Sequence, residues 1–169
     1  MAKVNDNTPI IVGIGQSVSR ETPTPENTVS AFDLAGEAGR RAIADTNASI
    51  DFSTEIDVMT VSRLFEDSTR KVAIVSNPFG SSNNVPGSIA RRIGIAPKEN
   101  IYCAVGGQTP QRLVNQMSER IHRGEIPCLA GRYWPLAPYP PCPLYTRHRA
   151  PPITAGRTRQ ILWRRVLAH

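Results

Sequence analysis

The residues whose types and spacing could do chemistry are Gly106, Gly107 and Gln108, which join an apolar run to a helical pattern. The first N–H groups of a helix lack intrahelical acceptors and lie at the positive end of the dipole, so they bind anions and developing oxyanions. A thiol at such a turn has a lowered pKa and is a good nucleophile. Here the turn carries glycine, and the nearest thiol, Cys103, lies within the apolar run. The sequence therefore predicts an oxyanion-binding turn at these three residues, with Cys103 either an inert buried thiol or a displaced nucleophile.

Two elements must hold this turn in place. Residues 101–105 form a short apolar run that is typical of a buried strand. On the other side, Thr109 is a candidate helix cap, and Pro110 suits the first helical position. Apolar residues then recur on one helical stripe, at Leu113, Val114, Met117 and Ile121, and Gly124 ends the pattern. The turn is thus predicted to connect a buried strand to an amphipathic helix.

At this stretch the sequence resembles the thiolases, the acetyl-CoA acetyltransferases. Their catalytic cysteine lies in a Cys-x-x-Gly turn between a strand and a buried helix that ends in glycine, and counting back from Gly124 places it at about Gly107. The match is closer to the thiolase-like branch whose turn reads Gly-Gly-x-Thr-Pro-Gln, as residues 106–111 do here. The resemblance implies a thiolase-like protein with glycine at the nucleophile position, and hence no catalytic residue there.

Three further segments resemble the same branch in the same order. They are the first-helix pattern at residues 26–38, the Asn-Pro-Phe-Gly loop at 77–80 and the second-helix pattern at 88–94. With the turn, they extend the resemblance from about Thr8 to Glu125. The resemblance implies an α/β thiolase-like layered fold, with a mostly parallel sheet and helices on both faces. It also implies that this chain is the N-terminal half only of such a fold.

The order of elements along the chain favours the same fold class. Residues 9–14 are predicted to form a buried strand that ends in a loop at Gly13-Ile14-Gly15, and Val18 breaks a dinucleotide fingerprint there. A capping box at Ser30 and Asp33 opens a helix that runs to about residue 44. Residues 56–62 predict a second strand, 72–75 either strand or helix, 77–86 a loop, and 86–94 a short helix. Alternating strands and helices favour an α/β fold with a mostly parallel sheet.

The resemblance also implies a function, namely acyl transfer between acyl-CoA thioesters in lipid or fatty-acid metabolism. The coenzyme A thioester is then a substrate, no cofactor is expected, and the complete protein is expected to form a homodimer through the strand before the turn. The family's Gly-His-Pro motif is absent, His122 lies at a helix end, and His148 and His169 lie beyond the resemblance. We therefore expect this chain to be inactive alone, because glycine replaces the nucleophile and the C-terminal half is missing.

Composition sets the remaining limits. The 169 residues suffice for one domain with a core. Cys103, Cys128 and Cys142 are odd in number and lack Cys-x-x-Cys spacing, which argues against a disulfide framework and a metal site. The N-terminus has no signal-peptide core, and no apolar run approaches the roughly 18 residues of a membrane span. We expect a soluble, cytoplasmic protein with no metal and no membrane partner.

Charge divides the chain near Pro127. Up to that residue 13 Lys and Arg oppose 14 Asp and Glu, whereas residues 128–169 hold seven Arg and no Lys, Asp or Glu. We therefore predict a partial thiolase-like domain at 1–127 and an Arg/Pro-rich tail at 128–169. The tail is an out-of-frame translation, a disordered basic tail or a folded module of an unfamiliar kind. The alternative function is a small basic nucleic-acid-binding protein that acts through the residues between Arg132 and Arg165.

Overall fold

The computed structural model describes residues 5–20, 24, 27–49, 51–63, 82–133 and 157–165. The described strands are β1 (Pro9–Val18), β2 (Val58–Ser62), β3 (Glu99–Cys103), β4 (Cys128–Tyr133) and β5 (Arg157–Arg165). The described helices are α1 (Ala31–Asp45), the single-turn α2 (Phe52–Glu55), α3 (Val85–Ile93) and α4 (Thr109–His122). The predictions for residues 72–75 and for most of the 77–86 loop lie outside the described residues.

The strands form one sheet in the order β1-β5-β4-β2-β3. β2 pairs in parallel with β3 and with β4, whereas β5 pairs antiparallel with both β1 and β4. β1 to β4 therefore run in one direction, and β5 runs against them. The predicted α/β fold with a mostly parallel sheet is confirmed, and β1 and β3 lie at the edges of the described sheet.

The two faces of the sheet are filled by different helices, as β2 shows, because its residues alternate between the faces. Met59 and Val61 belong to a buried cluster that contains residues of α1 and α3. Val58 belongs to a second buried cluster, with Met117 and Ile121 of α4. Helices thus cover both faces, as predicted, and α4 lies alone on its face among the described helices.

The loop predicted at Gly13-Ile14-Gly15 is wrong, because β1 continues through it. A Cβ on Gly13 would lie 2.1 Å from the carbonyl oxygen of Ala42, and one on Gly15 would lie 1.9 Å from that of Ala38. Both alanines are buried. The glycines therefore allow the backbone of α1 to approach β1 closely, which is a packing requirement and not a turn signal.

The helix ends agree with the predictions at four places and differ at one. Ser30 caps α1, with its hydroxyl accepting from the N–H of Asp33 at 3.1 Å, and α1 ends at residue 45. Gly124 follows α4 with φ 75°, and Gly94 follows α3 with φ 91°. Thr109, however, is not the cap of α4. The N–H of Thr109 donates to the carbonyl of Gly106 at 3.1 Å, so the turn is closed by backbone and Thr109 is the first helical residue.

Beyond residue 127 the structure describes two segments of the predicted Arg/Pro-rich tail, and both are strands. β4 is paired on both sides, by β2 and β5, and β5 is paired on both sides, by β1 and β4. The backbone groups of these segments are therefore satisfied within the sheet, which a free tail cannot achieve. Residues 134–156 and 166–169 lie outside the described residues. The out-of-frame origin and the nucleic-acid alternative stay predictions.

Candidate functional site

The predicted turn lies at the carboxyl end of β3, between β3 and α4. In open α/β sheets, ligands bind outside the carboxyl ends of the parallel strands. β2 ends at the same place, since Ser62 is the register partner of Cys103. The N–H of Arg63 donates to the carbonyl of Cys103 at 3.1 Å and ties the two strand ends together. The turn is thus held by two neighbouring strands and one helix.

Gly107 faces open space. A Cβ built on it meets nothing within 4 Å, and its φ lies outside the left-handed region, so a side chain would fit there without strain. Gly106 differs, because a Cβ there would lie 3.1 Å from the hydroxyl of Thr109 and 3.2 Å from Oε1 of Gln108. The position at which the resemblance places a nucleophile is therefore accessible, but this chain presents only backbone there.

The backbone of the turn can accept a ligand oxygen. Among the described residues, the N–H groups of Gly107 and Gln108 have no backbone acceptor, whereas those of Thr109 and Arg112 donate to the carbonyls of Gly106 and Gln108. The free amides lie at the N-terminus of the 14-residue helix α4, where the dipole is positive. The arrangement predicted for Gly106, Gly107 and Gln108 is thus present in the backbone, and their binding role stays a prediction.

Cys103 is the last residue of β3 and is half-buried. Burial raises the pKa of its thiol above the usual value, and the charge of Arg112 offsets part of that rise. A raised pKa keeps the sulfur protonated at neutral pH and makes it a poor nucleophile. Cys103 is a free thiol, and Cys128 is buried. These observations favour the inert interpretation of Cys103, while Cys142 lies outside the described residues.

The other groups considered for chemistry do not reach the turn. His122 lies at the last position of α4, about 20 Å from the turn at the helical rise, and His148 and His169 are outside the described residues. In the part of the chain that the structure describes, no group of three or more His, Cys, Asp or Glu could hold a metal ion. No helix within that part has the length and apolarity that crossing a membrane requires.

Charged side chains differ between the two ends of the parallel strands. At the amino ends, Asp57 pairs with Lys98 at 2.7 Å, and Glu99 accepts two hydrogen bonds from Arg120 at 2.8 and 3.2 Å. At the carboxyl end, Arg112 has no carboxylate partner among the described residues. The first turn of α4 also contains no acidic residue. The described residues near the turn thus include a cation without a carboxylate partner, at the positive end of the dipole of α4.

Two buried polar residues near the turn were not predicted as parts of the site, although Thr109 was predicted as a helix cap. Ser62 and Thr109 are 5% and 8% exposed, and neither hydroxyl has a hydrogen-bond partner among the described residues. The signal in the sequence is the alternation in β2, where Thr60 and Ser62 interrupt an otherwise apolar strand at every second position. Polar residues at that spacing share one face of the strand, and here that face lies under α4.

No protein-family model matches the sequence, and no curated protein sequence matches it. Solved structures do match. A monomeric SCP2-thiolase-like protein type 1 from Mycobacterium smegmatis is 28% identical over 79% of this chain and 24% of its own, with a TM-score of 0.59. OleA from Xanthomonas campestris, in crystals with bound lauric acid and lauroyl-CoA, is 13% identical over 94% of this chain and 56% of its own, with a TM-score of 0.67. The priming β-ketosynthase of a polyketide biosynthetic pathway is 12% identical over 98% of this chain and 52% of its own, with a TM-score of 0.64.

These structures share one fold, in which an α/β sheet is layered between helices, and it is the thiolase fold. The present chain has the thiolase fold, as the resemblance of its turn and helix patterns implied. It spans between 24% and 56% of the lengths of the three structures.

Proposed function

We propose that this chain binds an acyl-CoA thioester at the turn between β3 and α4, as part of a thiolase-like acetyl-CoA acetyltransferase, and has no turnover by itself. The observation that carries the proposal is the open space at Gly107, in which a Cβ would meet nothing within 4 Å. Covalent acyl transfer requires a nucleophilic side chain, and glycine has none. The bound thioester is therefore held without forming an acyl-enzyme.

The backbone supports binding of a thioester carbonyl. The amides of Gly107 and Gln108 are without backbone acceptors in the described residues, and they lie where the dipole of α4 favours negative charge. A carbonyl oxygen that accepts from both amides is polarised, as in an oxyanion hole. With Cys103 protonated and half-buried, polarisation is not followed by attack. Binding without turnover is the expected behaviour.

Restoring the nucleophile tests the proposal directly. In Gly107→Cys the new sulfur would attack the thioester carbonyl of acetyl-CoA. A carbon–sulfur bond to the protein forms, the bond to the coenzyme A sulfur breaks, and coenzyme A leaves as its thiol after taking up the proton. We expect an acetyl adduct on Gly107→Cys by intact-mass spectrometry, and none on the unchanged chain. Combining Gly107→Cys with Cys103→Ser should leave the adduct in place.

Two results would contradict this proposal. An acetyl adduct on the unchanged chain that disappears in Cys103→Ser would make Cys103 a displaced nucleophile. Absence of acetyl-CoA binding in calorimetry would remove the thioester as ligand. Gln116→Phe is the matched control for Gly107→Phe. It adds the same ring at an exposed position further along α4. Filling the space at Gly107 should weaken acetyl-CoA binding more than tenfold, and the same ring at Gln116 should not.

We also propose a homodimer that forms through β3, in the cytoplasm. β3 is an edge strand of the described sheet, and its outer row of backbone groups can pair with a second copy. The Mycobacterium smegmatis protein of the same fold is monomeric, so the edge alone does not decide the oligomeric state. Light scattering of the full chain should give twice the mass of one chain, and a monomer over the accessible concentrations would overturn this part.

A further inference from the structure

Among the described residues, the buried hydroxyl of Thr109 has no hydrogen-bond partner. The residue is 8% exposed, and no described group bonds to its Oγ1. The hydroxyl is directed back at the turn, since a Cβ on Gly106 would lie 3.1 Å from it. Buried hydroxyl groups are normally paired, so an unpaired one indicates a place for water or a ligand.

Ser62 supplies a second hydroxyl of the same kind at the same end of the sheet. It is 5% exposed and unpaired among the described residues. It shares a face of β2 with Val58, which belongs to one buried cluster with Ile121 of α4. From Ile121 back to Thr109 the helix spans about 18 Å, and from Val58 to Ser62 the strand spans about 13 Å. The first turn of α4 therefore lies over the Ser62 end of β2.

The cation nearest to Thr109 along α4 is Arg112. Arg112 follows Thr109 by three residues, and residues at this spacing are neighbours on a helix surface. Its charge acts on the thiol of Cys103, which places it near the end of β3. Arg112 has no carboxylate partner among the described residues, and the first turn of α4 has no acid. Hydroxyl donors, amides without a backbone acceptor among the described residues and a cation thus all lie at the end of the sheet from which α4 begins.

We propose that Ser62, Thr109, Arg112 and the N-terminus of α4 bind the carboxylate of a free carboxylic acid. A carboxylate has two oxygens that only accept, so it can use the hydroxyl donors, the amides and the guanidinium at once. A thioester carbonyl is neutral and leaves the cation unused. The inference goes beyond the proposed function, because it assigns a second ligand, a free carboxylic acid, to the same turn.

Calorimetric titration of the full chain with sodium hexanoate tests this assignment. We expect hexanamide, which has the same chain length and no charge, to bind at least tenfold more weakly. Thr109→Val and Arg112→Gln should each weaken hexanoate binding about tenfold, and Thr109→Ser, which keeps the hydroxyl, should restore it. The controls are Thr60→Val, a buried hydroxyl about 7 Å deeper on the same face of β2, and Arg123→Gln, the same change of charge at the far end of α4. Both controls should bind hexanoate as the unchanged chain does.

Several results would overturn the assignment. Equal binding of hexanamide, unchanged hexanoate binding in Thr109→Val and Arg112→Gln, or equally strong binding of inorganic phosphate would each remove the carboxylic acid as the preferred ligand. Parallel titrations with acetyl-CoA separate this inference from the proposed function. Hexanoate binding without acetyl-CoA binding refutes only the proposed function, and acetyl-CoA binding without hexanoate binding refutes only the inference.

Discussion

Replacing Gly15 by alanine perturbs the closest contact between β1 and α1. The added Cβ would lie 1.9 Å from the carbonyl oxygen of Ala38 and 2.5 Å from the N atom of Ala42. Both atoms belong to helix backbone, which cannot rotate away as the end of a side chain can. Real Cβ atoms keep at least 3.0 Å from such atoms, so the helix must move by about 1.1 Å at this point.

The cost follows from the size of that movement. A gap of 0.5–1 Å forfeits roughly a quarter to a half of each dispersion contact, and overpacking in well-packed sites costs about 1–3 kcal/mol. Because backbone obstructs the Cβ of Gly15→Ala, we take the upper end, about 3 kcal/mol. Loss of glycine entropy in the unfolded chain returns about 0.4–1 kcal/mol. The net loss of about 2 kcal/mol corresponds to a fall in Tm of about 4–8 °C for a chain of this size.

Urea and thermal denaturation followed by circular dichroism measure this loss. The matched control is Gly107→Ala, in which the same methyl group enters open space and no positive φ is involved. We expect the control to be unchanged or stabilised by up to about 1 kcal/mol. If Gly15→Ala and Gly107→Ala have equal midpoints, α1 does not lie against β1 at residue 15. The loop predicted there from the sequence would then be the better description.

Three further changes test the polar contacts. Thr109→Val removes an unpaired buried hydroxyl, so urea midpoints should show no loss and up to about 1 kcal/mol of gain; a clear loss would reveal a partner. Burial raises the pKa of Asp33, but its hydrogen bonds, including that from Arg92, outweigh burial and lower the pKa below 3.8. Asp33→Asn should therefore cost up to about 1 kcal/mol at pH 7 and progressively less as the pH falls below about 4 through the lowered pKa, in melts across pH. Arg120→Gln should cost about 1 kcal/mol because its side chain is 26% exposed and bonds two glutamates, whereas Arg123→Gln, at 63% exposure, should cost less than about 0.5 kcal/mol; equal melting curves would contradict this.

The helices could be predicted because their signals are local. The Ser30 cap and Gly124 act on backbone groups within a few residues of them, so composition at those positions is informative. The turn between β3 and α4 was found for the same reason. Gly13 and Gly15 were misinterpreted because their role depends on α1, whose contact residues lie more than 20 positions later. A sequence does not distinguish a glycine that allows close packing of a helix from a glycine that allows a turn.

The candidate site was predicted only in its backbone. Gly106, Gly107 and Gln108 could be identified because a helix N-terminus follows them directly. The contribution of Ser62 could not, since it requires the register of β2 with β3 and the direction of α4 across them. The polar alternation in β2 was visible, but alternation alone is equally typical of a strand with one solvated face. Only the burial of both Ser62 and Thr109 distinguishes the two cases.

The pairing of β5 changes how the Arg-rich end of the chain must be judged. β1 has β5 as its strand partner, and β5 in turn connects β1 to β4. Without Arg157–Arg165, β1 would lose its strand partner in the described sheet and, with it, the connection to β4. Composition indicated a tail because it does not report on strand pairing. Pairing depends on backbone groups, which every residue except proline carries in full. An excess of arginine therefore gives information about solvent exposure and charged partners. The register of β5 with β1 and β4 gives information about the fold, and removal of β5 tests it, because β1 should then separate from the sheet.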